Sequence, residues 1–309
     1  MNTDALPVGT VVENHGALFD VLIDGRVVKC SLRGRLKPAR PGKDKRRQVA
    51  PIAAGDRVEV ALLDDGRGVI ERVLPRESDL SRRAAGSEPL QHTLVANVDQ
   101  AVIVFAVAEP RCDFYMLDRF LVAAVAGGLE RIICFNKCDL VPPEQRDAQF
   151  GLYAGIGFHV LCTSAHSGEG VEALREAMQD RRSVICGPSG VGKSSLLNAI
   201  APGLRLRIGD VGDVTHKGRH TTSSITLVEL PCGGWVADTP GLRQLGFWEA
   251  EQEHIAAAFP ELQPHLGRCH FSNCSHRDDP GCALSAAVEA GEISVRRVKS
   301  YVQIMGGAR

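Results

Sequence analysis

The stretch "GPSGVGKS", Gly187 to Ser194, has the spacing G-x-x-x-x-G-K-[ST]. Glycines at those offsets let backbone N–H groups turn inward around phosphate oxygens, Lys193 neutralises β and γ charges, and Ser194 offers a hydroxyl to Mg²⁺. Pro188, Ser189, Gly190, Val191 and Gly192 complete the loop, and Ser195 follows it. A phosphate cradle does not choose a base, but "NKCD", Asn136 to Asp139, supplies a chooser. The Asp139 carboxylate is suited to accept from guanine N1–H and N2–H₂, a donor pair that adenine lacks, and leaving that carboxylate unpaired penalises the wrong base. Asn136 suits the N7/O6 side of the purine, Lys137 packs along base and ribose, and Cys138 fills the variable place. "TSA" puts Ser164 and Ala165 where a backbone N–H meets guanine O6.

The hydrolytic parts lie further on. "DTPG", Asp238 to Gly241, matches D-x-x-G, with Asp238 reaching Mg²⁺ through water and the Gly241 N–H facing the γ-phosphate. "GRHTTSS" offers a switch threonine, Thr221 or Thr222, and the residues alone do not choose between them. Ser194 and Thr222 are the expected Mg²⁺ pair, with Thr221 as the alternative. Where Ras-type enzymes carry a water-orienting Gln after D-x-x-G, Leu242 stands here, and Leu cannot orient water. His220 is the candidate substitute; its plain alternative is a solvated loop histidine.

A different chemistry closes the chain. "RCHFSNCSHRDDPGC" spaces Cys269, Cys274, His276 and Cys282 as three thiolates and one imidazole, the donor set of a closed structural Zn²⁺ site. His270 is the rival imidazole, awkward because it adjoins Cys269. The other seven of the ten cysteines are scattered, mostly in apolar runs where a thiol behaves as a small hydrophobe.

The elements that must position these groups follow from periodicity. Residues 6 to 76 alternate short Val- and Ile-rich runs with Asp-Gly turns, which predicts a small all-β barrel of the OB type. From 98 onward, continuous apolar strands such as "DQAVIVFAVA" alternate with amphipathic helices, which predicts a mostly parallel sheet covered on both faces. After 246 the chain reads as helical and polar around the cysteines. The expected division is 1–85, 86–245 and 246–309: an OB-type RNA-binding barrel, an α/β P-loop GTPase and a mainly helical zinc domain.

Five GTPase elements are present in an unusual order. A conventional chain runs P-loop, switch Thr, D-x-x-G, N-K-x-D, S-A; here N-K-x-D and S-A come first. Joining the usual termini and cutting between D-x-x-G and N-K-x-D produces that order, so the domain reads as circularly permuted. The cut also leaves the D-x-x-G switch directly before the cysteine-rich tail.

Composition narrows the setting. With 44% hydrophobic and 24% charged residues in 309, the chain is ordinary for a soluble globular protein. No apolar run nears the roughly 18 residues that span a bilayer, and the first residues carry no secretory pattern, so a cytoplasmic protein without membrane contact is expected. The net charge of −1 hides ten basic residues between Arg26 and Arg47 against one acid, Asp44. That excess suits a polyanion such as RNA; the plain alternative is a solvated loop on a structural barrel.

Taken together, the order of "NKCD", "GPSGVGKSS" and "DTPG", followed by "CHFSNCSHRDDPGC", resembles the bacterial circularly permuted GTPases of small ribosomal subunit biogenesis, over essentially the whole chain. The resemblance implies a late assembly factor that binds the small (30S) subunit and its 16S rRNA, hydrolyses GTP to GDP faster when bound there, and then leaves. It also implies one structural Zn²⁺, Mg²⁺ with GTP, and a monomer. The rival from another class is an RNA-binding module with a regulatory nucleotide pocket, or a GTPase acting on another RNA; Leu242 favours the module, and Lys193, Ser194 and Asp238 oppose it.

Overall fold

The first strands alternate buried and open side chains, as strands covering a small core must. β1 (Val8–Asn14), β2 (Leu18–Ile23), β3 (Arg26–Leu32), β4 (Arg57–Leu62) and β5 (Gly68–Val73) pair in the order β1-β2-β3-β5-β4 and close through β1 against β4. All pairings are antiparallel except β3 with β5, and the result is a five-stranded OB-type barrel. Its interior is filled by Val11, Phe19, Val21, Cys30, Val58, Val60 and Ile70. The computed structural model describes residues 6–34, 52–83, 91–202, 225–238, 252–277 and 279–307, with only the backbone of 82, 83, 91, 92 and 238. His220, Thr221, Thr222, Gly241, Leu242 and the basic segment beyond Gly34 lie outside the described residues.

A hairpin of β6 (Asp79–Arg83) and β7 (Gln91–Ala96) joins the barrel to the rest and draws its strands from either side of position 85. The junction is polar, and its described buried groups pair with one another. Arg76 grips the buried Asp56 with both prongs, at 2.7 and 2.8 Å, and donates to Thr93 Oγ1 at 2.6 Å, while Asn97 Nδ2 donates to the Gly55 carbonyl at 2.9 Å. Paired this way, buried charge serves as an oriented joint, since each group would be costly alone.

The second sheet is built on β8 (Gln100–Ala106), which is buried along its length because both faces are covered. β9 (Glu130–Asn136), β10 (His159–Cys162), β11 (Arg182–Cys186), β12 (Thr226–Glu229) and β13 (Trp235–Asp238) complete it in the order β10-β9-β8-β11-β13-β12, all parallel but β12. One rung, Glu13 opposite Thr226, continues this sheet into the barrel.

Alternation along β8 sorts the two faces. Ala101, Ile103, Phe105 and Val107 pack with Leu117, Phe120 and Leu121 of α1 (Phe114–Ala126) and with Phe150 and Tyr153 of α2 (Pro143–Gly155). Val102, Val104 and Ala106 pack the other way, with Leu174 and Met178 of α3 (Val171–Met178) and Leu196, Leu197 and Ile200 of α4 (Lys193–Ile200). Asp113 starts α1 by accepting from the Met116 N–H at 3.0 Å, and Pro143 opens α2, where its missing N–H costs nothing. The permuted connection is short: α3 ends at Met178 and β11 begins at Arg182.

The C-terminal residues form α5 (Gln252–Ala257), α6 (Ala283–Glu289) and α7 (Val295–Gly307). Ile255, Phe259, Leu262, Leu284, Val298 and Tyr301 belong to the same apolar core as α1, so this region packs on the α1 face of the sheet.

Candidate nucleotide site and cysteine cluster

Parallel strands carry their C-terminal ends to one edge, where ligands bind in open α/β sheets. That edge receives "NKCD" from β9, "TSA" from β10, the P-loop from β11 and Asp238 from β13. Segments far apart in the chain are thereby brought together.

The P-loop ends at Gly192 (φ +91°), which caps α4 in the left-handed region. A Cβ on Gly192 would sit 2.3 Å from Asn136 Nδ2, and one on Gly187 would sit 2.0 Å from the Val104 carbonyl oxygen. Both positions therefore demand glycine. Lys193 leads α4 and folds back across the loop, donating to the carbonyls of Gly187 at 2.8 Å and Pro188 at 2.5 Å. Gly187 and Val191 are buried, whereas Ser189, Gly190, Ser194 and Ser195 are exposed at the rim.

Asn136 is buried and engaged at both ends: Nδ2 donates to the Val191 carbonyl at 2.8 Å, and Oδ1 accepts from Thr163 Oγ1 at 3.2 Å. It thus ties the P-loop to both base-side loops. Lys137 takes a left-handed backbone (φ +60°) and sends Nζ to the Glu109 carbonyl in the loop after β8. Cys138 is buried; its N–H donates to the Thr163 carbonyl at 3.0 Å, and burial first, then Glu169, pushes its thiol up to about 12.

Asp139 stands exposed at the open edge, its side chain 27% accessible, with His166 Nδ1 at 4.0 Å. A hydrogen bond from the Ser164 side chain, ahead of opposing desolvation, holds its carboxyl below the usual carboxylate range. The buried Ser164 hydroxyl also accepts from the His166 and Ser167 N–H groups at 3.2 and 3.0 Å. One donor and two acceptor places are then filled, which is all a hydroxyl has. Ala165 follows, half-buried, on the same turn. Two residues that motif reading passes over complete this edge: Arg146 Nε donates to the Val141 carbonyl at 2.9 Å and its NH1 to Glu169 at 2.7 Å.

The cysteine cluster forms as the spacing predicts. Nδ1 of His276 lies 3.5 Å from the sulfurs of Cys269, Cys274 and Cys282, and the four ligand atoms lie within 4.8 Å of one another. A tetrahedral ion with metal–sulfur bonds of about 2.3 Å and metal–nitrogen bonds of about 2.0–2.1 Å sets S and N about 3.5 Å apart. The residues therefore fit such an ion. His276 reaches inward through a left-handed backbone (φ +58°), while the His270 N–H is bonded to the Gly281 carbonyl and its ring stands edge-on to Phe271. The Ala283 N–H points at Cys269 Sγ at 3.3 Å, supporting a thiolate from behind.

On the barrel, two of the basic residues read as an excess are already paired: Lys29 with Asp20 at 3.2 Å, and Arg33 with Glu71.

A doubly wound sheet with a P-loop at its centre and the base-side loops preceding it defines a circularly permuted P-loop GTPase. The chain belongs to the RsgA GTPase family, whose sequence pattern matches residues 73–248. It is 46% identical over 299 residues to the small ribosomal subunit biogenesis GTPase RsgA of Gemmatimonas aurantiaca, covering 96% of this chain and 95% of that protein. Among solved structures it resembles YjeQ from Thermotoga maritima, with 36% identity, TM-score 0.77 and 98% of each chain covered. It also resembles YloQ, described as a circularly permuted GTPase, with 30% identity, TM-score 0.71, and coverage of 100% of this chain and 97% of that one.

Proposed function

We propose that this GTPase is a late assembly factor of the small ribosomal subunit, with turnover stimulated by the bound subunit and hydrolysis coupled to release. The observation that carries the reading is the convergence of "NKCD", "TSA" and the P-loop on one sheet edge, in a chain 46% identical to a protein named for that role. Asp139 accepts from guanine N1–H and N2–H₂, with Ser164 and Ala165 on the O6 side, Asn136 on the N7/O6 side, Lys137 along base and ribose, and Cys138 in the variable place. Residues 187–195 wrap the phosphates, and Lys193 neutralises the charge that grows on them during transfer. Ser194 and Thr222, or Thr221 in its place, would hold Mg²⁺, with Asp238 acting through water and the Gly241 N–H serving the γ-phosphate. When bound, Mg²⁺ would supply charge neutralisation at the phosphates. His220 orients the attacking water where Leu242 cannot.

The three working units are 1–85, 86–245 and 246–309. The barrel and its basic segment contact 16S rRNA, and Cys269, Cys274, His276 and Cys282 hold one structural Zn²⁺, supported by the 3.5 Å sulfur–nitrogen spacing. The protein works as a cytoplasmic monomer; among the described residues no helix is long and apolar enough to cross a membrane.

The test is GTP turnover by the full chain with purified small subunits, large subunits, free RNA or buffer. Strong stimulation by small subunits alone is expected. Equal turnover in all four would overturn the assembly reading in favour of an RNA-binding module with a regulatory pocket, or, if free RNA alone stimulates, of action on another RNA. In the same assay His220→Ala is expected to lose the stimulated rate.

A further inference from the structure

The base-side edge consists of two loops from different strands, and a base can be read only if they hold a fixed separation. One loop, 136–141 after β9, presents Asp139; the other, 163–170 after β10, presents Ser164, the hydrogen-bonding partner of Asp139. Backbone bonds join the loops at their roots, where the Cys138 N–H meets the Thr163 carbonyl at 3.0 Å. Toward solvent a side chain makes the join. Arg146, in the first turns of α2 and only 13% exposed, holds the Val141 carbonyl at 2.9 Å with Nε and the Glu169 carboxylate at 2.7 Å with NH1. Val141 ends the short turn that carries Asp139. Glu169 in turn accepts the Ser164 N–H on its backbone carbonyl at 2.8 Å, closing the turn that presents Ser164. A single guanidinium thus spans the two halves of the base site, and its planar fork fixes both distance and direction in a way that an ammonium cannot.

We propose that Arg146 and Glu169 are positioning residues for guanine selection, clamping the loop of Asp139 to the loop of Ser164. The inference rests on the reading of Asp139 as the guanine ligand. An ion pair with one half-exposed partner does little for stability by itself. What distinguishes this pair is that its two ends are fastened to two different ligand-bearing loops, so its loss acts on geometry at Asp139 more than on folding. Two further observations agree with a built contact: the Glu169 carboxyl is held below its usual range, first by Arg146 and then by Cys138, and Arg146 is raised by Glu169.

The test measures GDP and inosine diphosphate binding to the full chain by calorimetry. Inosine lacks the 2-amino group, so the ratio of the two affinities reports the contact to Asp139. Arg146→Met is expected to weaken GDP binding by about tenfold, the range for loss of a charged hydrogen bond, while inosine diphosphate changes less and the ratio narrows. Glu169→Ala keeps the backbone carbonyl that holds Ser164 and is expected to narrow the ratio similarly; the double variant should be no worse than Arg146→Met alone. Arg146→Lys, able to reach one partner but not both, should fall between. Turnover at saturating GTP should be retained, with the loss in KM. Thermal unfolding is measured alongside; if Arg146→Met does not fold, Glu169→Ala decides. An unchanged GDP-to-inosine ratio in folded Arg146→Met and Glu169→Ala overturns the proposal. Asp139→Asn in the same experiment separates the two readings: if it abolishes the guanine preference while the clamp variants do not, only the clamp falls, and if it leaves the preference intact, the assignment of Asp139 falls with it.

Discussion

Gly192 shows how closely single residues are specified at the nucleotide edge. It closes the P-loop in a left-handed conformation and leaves only enough room for Asn136 Nδ2, which reaches past it to the Val191 carbonyl. Gly192→Ala would add left-handed strain of about 1–3 kcal/mol and push Asn136 off its carbonyl. The expected outcome is a loss of at least about tenfold in GDP affinity, measured by calorimetry, with a near-native circular dichroism spectrum. Motif reading reached Gly187, Gly192, Lys193 and Asp139 because a backbone cradle and a carboxylate at a strand end require fixed offsets along the chain. It named Asn136 for the purine but had no signal for its bonds to Val191 and Thr163, which lie 55 and 27 residues away. Arg146 and Glu169 had no signal at all: they sit 23 residues apart on separate elements and become neighbours only when β9 and β10 pair.

Among the elements, legibility followed apolar periodicity. β8 and β11 were plain because strands buried on both faces must be continuous apolar runs. The β6–β7 hairpin and α2 were not, since "DLSRR" and "PEQRDAQFGLYAG" bury too little to set a pattern; of α2 only Phe150 and Tyr153 enter the core. The cysteine segment lies between these cases. Its ligand types and spacing were readable, and so was the preference for His276 over His270, which adjoins Cys269; what the sequence could not show is the left-handed backbone at 276 that brings the imidazole to the three sulfurs. The 3₁₀ turn Gln263–His265 precedes the segment, and the described residues of 266–282 form no helix or strand, so a bound metal would act as their staple. Chelation, or Cys274→Ser, is expected to reduce bound metal from one per chain to near zero. Amide protection across 268–283 should disappear while protection of β8 and β11 is retained. Unchanged protection of the cysteine segment would mean that the cluster is not a structural staple.

At the scale of the molecule, one buried side chain joins the C-terminal region to the sheet domain. Arg297 on α7 is 0% exposed, pairs with Asp118 of α1 at 2.5 Å and with Glu261 at 2.6 Å, and lies 4.0 Å above the centre of the Phe259 ring. Tyr153 of α2 donates to the same Asp118 oxygen at 2.7 Å. Breaking such a network from one side leaves charge buried without a partner, so Arg297→Met should destabilise by about 3–5 kcal/mol in denaturant unfolding. Asp118→Asn should cost less, because a neutral amide tolerates burial better than an unpaired carboxylate. The charge count along the chain could not reveal this joint, just as it could not reveal that Lys29 and Arg33 are answered by Asp20 and Glu71. The larger organisation was more accessible: the order of the motifs already implied a permuted sheet, and the parallel edge brings the described base-side and phosphate segments together. The proposed function makes this edge a guanine-reading site that drives turnover on the small subunit. The most direct measurement is subunit-stimulated turnover by Asp139→Asn with GTP and with xanthosine triphosphate, whose base carries a carbonyl where guanine has its 2-amino group. GTP turnover should collapse and xanthosine triphosphate should restore stimulation; an unchanged preference for GTP would mean that this edge does not read guanine through Asp139.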